Sequence, residues 1–166
     1  SFARRNGLTL VLLACMVASL LGQVVMGRSV YNHERAESDA APVGWVAYLA
    51  SGHFVSATFE NWESEFLQMG MYVLLSVTLR QKGSAESRPL KESEEDERIE
   101  PGPKPWPVRV GGIWKSLYGH SLAIAFTLLF AISLGLHLDG SWRSENADRL
   151  LKGEPAVALW SYAKGP

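Results

Sequence analysis

The distribution of charge constrains this chain more than any motif. Of 166 residues, 33 are Asp, Glu, Lys or Arg, and all of them avoid three windows. Residues 6–27 hold none over 22 positions, 66–79 none over 14, and 116–138 none over 23. These 59 residues are charge-free, and the other 107 are about 31% charged. The averages (20% charged, formal net charge −1) describe neither population, although alone they suggest an ordinary soluble domain.

The segregation has a dielectric cause. A charge at the centre of a bilayer costs roughly 2.5–3.5 kcal/mol on insertion scales. A helix crossing ~30 Å of hydrocarbon needs about 20 apolar residues. The first and third windows meet that length. In the first, Leu8–Val25 has Gln23 as its strongly polar member; in the third, Leu122–Leu138 has His137. The sequence therefore predicts an all-α integral membrane protein with three transmembrane helices. The first covers about 7–27 and the third about 116–138. The middle window is short, so its helix must begin earlier, at about 60, and run to about 80. Phe59, Trp62 and Phe66 share one face of such a helix, while Glu60, Glu63 and Glu65 lie at headgroup depth. A re-entrant segment competes with a full span there.

Two N-terminal readings compete with the first span. Arg4-Arg5 before an apolar run resembles a secretory signal, and Leu12-Leu13-Ala14-Cys15 resembles a lipoprotein cleavage box. The run continues about ten residues past Cys15, too long for an ordinary signal core. As the single cysteine, Cys15 excludes an intrachain disulfide framework. The charge balance argues against nucleic acid as a partner.

Positive residues set orientation. Ten Lys/Arg fall before the first helix or between the second and third, against six on the other side. This predicts a bacterial inner-membrane protein with a cytoplasmic N-terminus and a periplasmic or extracellular C-terminus. Trp45, Tyr48, Trp62, Trp114, Tyr118 and Trp142 are placed as interface anchors. Residues 43–57 are uncharged but broken by Gly and Ser, and are expected as an interfacial amphipathic helix with Trp45, Tyr48 and Leu49 facing lipid or protein. Residues 83–112 form an acidic, Pro-rich cytoplasmic linker, with Glu92–Glu97 followed by Pro at alternate positions from Pro101 to Pro107. Disorder or polyproline II is expected there, then a Gly111-Gly112 joint.

An offset of 114 residues superimposes the first and third helices. Leu8 meets Leu122, Ser19 Ser133, Leu20 Leu134, Asn32 Asn146, Arg35 Arg149 and Tyr48 Tyr162. Each copy runs apolar span, polar segment, Pro, then an aromatic stretch. The expectation is one repeat over 1–82 and a second, incomplete one over 113–166, with a fourth helix to follow. The stretch Ser51–Met69, the segment Gln81–Ser87, the Gly22-Gln23 and Tyr31-Asn32 pairs, and Pro105-Trp-Pro resemble an uncharacterised bacterial membrane protein family, a domain of unknown function. The resemblance covers nearly the whole chain and implies a duplicated two-helix unit, with four spans in fuller members. It implies no activity, substrate or catalytic residue.

The chemistry-bearing candidates are few. His53, Glu60, Glu63 and Glu65 have the residue types of a divalent-metal site, against a plainer reading as charges at a helix start. Gln23 and His137 are intramembrane polar residues at equivalent repeat positions. His137 is read as a packing hydrogen bond before a pigment or haem ligand, and His120 likewise. Gly70, Gly135, Ala14, Ala18, Ser19, Ala131 and Ser133 suit close helix contact. No phosphate loop, His-Glu-x-x-His or Gly-x-Ser-x-Gly occurs. No catalytic residue and no cofactor are assigned. The expectation is a non-catalytic accessory subunit of a respiratory or photosynthetic complex, contacting lipid and other subunits or itself. A transporter or channel built by oligomerisation, and a metal- or haem-binding membrane enzyme, are the alternatives.

Overall fold

The computed structural model describes residues 2–82 and 102–165, and among these every element is an α-helix. They are α1 (Phe2–Arg5), α2 (Gly7–Glu37), α3 (Trp45–Leu49), α4 (Gly52–Thr78), α5 (Trp106–Val110), α6 (Gly112–Gly119), α7 (Ser121–Leu151) and α8 (Leu159–Ala163). Two helices, α2 and α7, are long and apolar enough to cross a membrane. Both outrun their charge-free windows, by ten residues through Arg28, Glu34, Arg35 and Glu37, and by thirteen through Arg143 and Arg149. An uncharged window marks where a charge is expensive. It does not mark where a helix ends.

Local backbone chemistry ends them. After α2, Asp39 takes φ 55°, its N–H bonds to the Ala36 carbonyl, and the Ala40 N–H reaches back to Arg35 at 2.9 Å. This paired closure is the Schellman motif. After α7, Gly153 takes φ 74°, bonds to Leu150, and the Glu154 N–H reaches Arg149 at 2.8 Å. Glycine meets the left-handed conformation without a Cβ penalty, while Asp39 adopts it as one of the few side chains that tolerate it.

Two sequence expectations change. The interfacial helix expected over 43–57 is instead the short α3 and, from Gly52 onward, the beginning of α4. The break falls at Ser51, whose hydroxyl donates to the Tyr48 carbonyl at 2.6 Å and accepts the Phe54 N–H at 3.2 Å. The end of the proline run is helical, with Pro105 capping α5 and Pro107 in its first turn, where a missing N–H costs nothing. Gly111 and Gly112 then adopt φ 76° and 55°, as a joint between α5 and α6 requires. The acidic run Glu92–Glu97 lies outside the described residues.

The chain divides into two compact units, Ser1–Phe59 with Gly135–Pro166, and Glu60–Leu134. In the first, α4 and α7 cross at Gly52, Ser56, Gly140 and Ser144. A Cβ added to Gly140 would stand 2.5 Å from the Ser56 nitrogen, and one added to Gly52 would stand 2.5 Å from the Gly140 oxygen. Gly-x-x-x-Ser on both helices thus brings backbone against backbone. Gln23 Nε2 donates to Thr58 Oγ1 at 3.2 Å, joining α2 to α4. In the second unit, Gly70 admits Phe126, whose Cβ would lie 3.5 Å from an added methyl. Trp62 meets Phe66 edge to face, and Trp106 packs on Trp114 at 5.4 Å across α5 and α6.

Candidate functional site

The polar chemistry of the first unit gathers where each long helix turns back. At the first corner, the chain leaves α2 and returns along it through residues 38–44. Backbone groups there have no helical partner and must find others. Asn32 supplies both: its Oδ1 accepts the Val43 N–H at 2.8 Å, and its Nδ2 donates to the Val43 carbonyl at 3.2 Å. Arg28 Nε adds a second bond to that carbonyl at 3.1 Å, and Arg35 Nε donates to Ala41 at 2.9 Å. The Arg28 guanidinium also lies over the Trp45 ring at 4.4 Å, a cation–π contact that fixes α3.

The second corner repeats these bonds 114 residues later. Asn146 Oδ1 accepts the Val157 N–H at 2.8 Å and its Nδ2 donates to the Val157 carbonyl at 3.1 Å. Arg149 Nε donates to Pro155 at 3.1 Å. Position 142, equivalent to Arg28, is Trp, and its Nε1 donates to Val157 at 2.8 Å, so a different side chain supplies the same bond. The register holds at the other end of the long helices. Asn6 Nδ2 donates to Phe2, and the His120 Nδ1 lies 2.8 Å from the Ser116 carbonyl.

The corners differ in what fills them. At the first, Tyr31 of α2, Tyr48 of α3, and His53 and Phe54 of α4 form an aromatic cluster. Ring centroids are 5.0 Å apart for Tyr31–His53, 6.0 Å for Tyr48–His53 and 5.5 Å for Tyr48–Phe54. Tyr48 is 1% exposed, and it and Tyr31 are the buried hydrophobic residues among those described. Gly27 makes room for it, since a Cβ there would overlap the Tyr48 hydroxyl. Burial first, and the Glu34 carboxylate second, push the Tyr48 phenol above its ordinary pKa of 10.0. The His53 Nε2 stands 3.9 Å from Glu34, and its Nδ1 is buried without a hydrogen-bond partner. At the second corner the equivalents of Tyr31 and Tyr48 are Glu145 and Tyr162. They line a cavity of about 530 Å³ with Arg149, Val157, Ser161 and Gly165.

The sequence candidates distribute as follows. His53 pairs with Glu34 and the tyrosines, while Glu60, Glu63 and Glu65 lie further along α4. Among the described residues no three His, Cys, Asp or Glu side chains come together in a way that can hold a metal. Tyr48 is the correction among the expected anchors, because it is enclosed by aromatic rings rather than facing lipid. Trp45, Trp62, Trp114 and Tyr118 are exposed, whereas Trp142 is half-buried on Val157. Gln23 is engaged by Thr58, and His137 is half-buried on α7. Sequence reasoning paired Asn32 with Asn146 and Arg35 with Arg149 but assigned them no role. Their spacing to Val43 and Val157, 11 residues at both corners, was the available signal. The Gly52/Ser56 and Gly140/Ser144 pairs were also missed.

Neither a curated protein nor a solved structure matches the chain. One family does, over residues 1–166: the chain belongs to the family described as Domain of unknown function, DUF6766.

Proposed function

We propose that this chain is a non-catalytic accessory subunit of a bacterial inner membrane, packing against a larger membrane complex. The observation that carries this reading is the exposure of its apolar helices. Leu8 is 75% exposed, Leu21 62% and Leu128 58%, and none of the apolar window of α2 is buried. The core helix of a soluble protein hides such residues, and a contiguous exposed apolar surface needs lipid or protein against it. In this reading α2, the uncharged end of α4 and α7 span the bilayer. The Lys/Arg excess supports a cytoplasmic N-terminus. The corners then stand on the outer side, where water is available to their charges.

The 114-residue register of caps, clamps and short helices supports a duplicated structural unit. Such a unit serves to shape a surface. The clamp side chains are spent on backbone groups, and no nucleophile, base and orienting group line up at either corner. The test is isolation of the tagged protein from its native membrane in mild detergent. A stoichiometric larger membrane partner is expected, and a lone monomer under those conditions contradicts the proposal.

A further inference from the structure

Charge is distributed unequally among the turns of the chain. The corner after α2 mixes Arg28 and Arg35 with Glu34, Glu37 and Asp39, and the corner after α7 mixes Arg143, Arg149 and Lys152 with Asp139, Glu145, Asp148 and Glu154. Their guanidinium groups are occupied. Arg28 and Arg35 hold backbone carbonyls, Arg143 pairs with Asp139, and Arg149 pairs with Glu145 and Glu154. The α5–α6 elbow of the second unit is different. Residues 101–138 contain Lys104, Arg109 and Lys115 and no Asp or Glu. All three cations are exposed, and among the described residues none of them meets a carboxylate. We propose that the α5–α6 elbow is a docking surface for the anionic phospholipid headgroups of the membrane leaflet beside it.

Two observations define the ligand. The first is an uncovered apolar face. Ile113, Trp114, Leu117 and Tyr118 stand at i, i+1, i+4 and i+5, which gathers them on one side of α6 and leaves Lys115 on the other. An amphipathic helix of a soluble domain turns such a face inward, whereas these four side chains are 44–71% exposed. Trp106 and Val110 of α5 are exposed as well and extend the surface, and the Trp106–Trp114 contact at 5.4 Å holds the two helices together. Indole rings beside an apolar strip suit the boundary between headgroups and acyl chains. The second observation is the sign of the charge. Three cations without a counter-charge beside that strip match lipid phosphate, because a basic segment at a bilayer surface is drawn to anionic lipid.

The inference rests on the membrane reading above. It is tested on the full chain reconstituted into phosphatidylcholine vesicles that carry a trace of spin-labelled phosphatidylglycerol or spin-labelled phosphatidylcholine. Electron paramagnetic resonance then reads the lipid immobilised at the protein surface. Phosphatidylglycerol should be favoured about fivefold at low salt, as the attraction of one well-placed cation implies. The preference should shrink at about 1 M salt, where charges are screened within ~3 Å. Lys104→Gln, Arg109→Gln and Lys115→Gln together should abolish it, and Ile113→Gln with Leu117→Gln should weaken it by lifting the elbow from the lipid. Lys152→Gln with Lys164→Gln, beyond α7, should leave it unchanged. None of these side chains is buried, so folding is not at stake. The proposal is overturned by equal retention of the two lipids, or by a preference that survives loss of the three cations. It is also overturned by a preference that disappears instead with Arg4→Gln and Arg5→Gln, or that emerges only when Glu92–Glu97 is neutralised. The two readings fail separately. No immobilised lipid at all contradicts the membrane reading, whereas immobilised lipid without selectivity removes the docking surface alone. A lone monomer in the co-purification experiment, with selectivity intact, removes the accessory role and leaves the surface.

Discussion

The corner after α2 and the corner after α7 are built alike and finished differently. In each, a left-handed residue ends a 31-residue helix, an Asn clamps a Val eleven residues on, and an Arg holds the carbonyl two residues before that Val. The first corner is then sealed by Tyr48, His53 and Phe54, while the second keeps a cavity. The comparison separates two jobs that are fused in most folds. Hydrogen-bond geometry sets the path of the chain, and aromatic packing sets how firmly that path is held.

The largest test attacks what the first unit cannot adjust. Gly140→Leu or Gly52→Leu forces a side chain into the backbone of the crossing helix, with no flexible atom to yield. A loss above about 3 kcal/mol, or failure to fold, is expected from overpacking at backbone contact, read as the unfolding midpoint in detergent. The same substitution at Gly135, which has open space around it, should be nearly silent.

Next comes the contrast between the tyrosines. Tyr48→Ala removes the most enclosed side chain and should cost about 3–5 kcal/mol, the range for buried aromatic deletions. Tyr162→Ala removes one that borders a cavity and should cost less than about 1 kcal/mol. Equal losses would mean that the corners are filled alike. The clamps should behave in the opposite way. Asn32→Ala and Asn146→Ala each strip two bonds from a Val peptide and should cost similar amounts, about 1–3 kcal/mol. A large inequality would break the equivalence of the frames.

The charge-free windows made α2 and α7 legible, because excluding charge from hydrocarbon leaves a long-range mark on sequence. Their true ends were not legible. Each ends in one residue's backbone conformation, and Asp39 gives little sign of a positive φ. The clamp was half visible. Asn32/Asn146 and Arg35/Arg149 stood in register, but a side chain bonded to a backbone eleven residues away leaves no periodic trace. Tyr48 looked like an anchor because aromatics serve equally at an interface and in a core. Only the α4 turn that brings His53 and Phe54 beside it decides between them. The α4–α7 crossing needed two Gly-x-x-x-Ser pairs 88 residues apart, each unremarkable alone.

The smallest expected effect is electrostatic. Because the folded Tyr48 phenol holds its proton more tightly than the unfolded one, its contribution is complete below about pH 10 and is lost as pH rises through the elevated value. Stability should therefore fall above pH 10 more steeply in the native protein than in Tyr48→Phe, where that group is absent. Identical alkaline limbs would place Tyr48 in contact with water.

The unequal finish of two equal frames is read most directly by native-state hydrogen exchange at the Val43 and Val157 amides. Each donates to an Asn Oδ1 at 2.8 Å, so the bonds themselves are matched. What differs is the packing that must open before exchange. The account predicts much slower exchange at Val43 than at Val157. Equal protection at the two amides, or faster exchange at Val43, would contradict it.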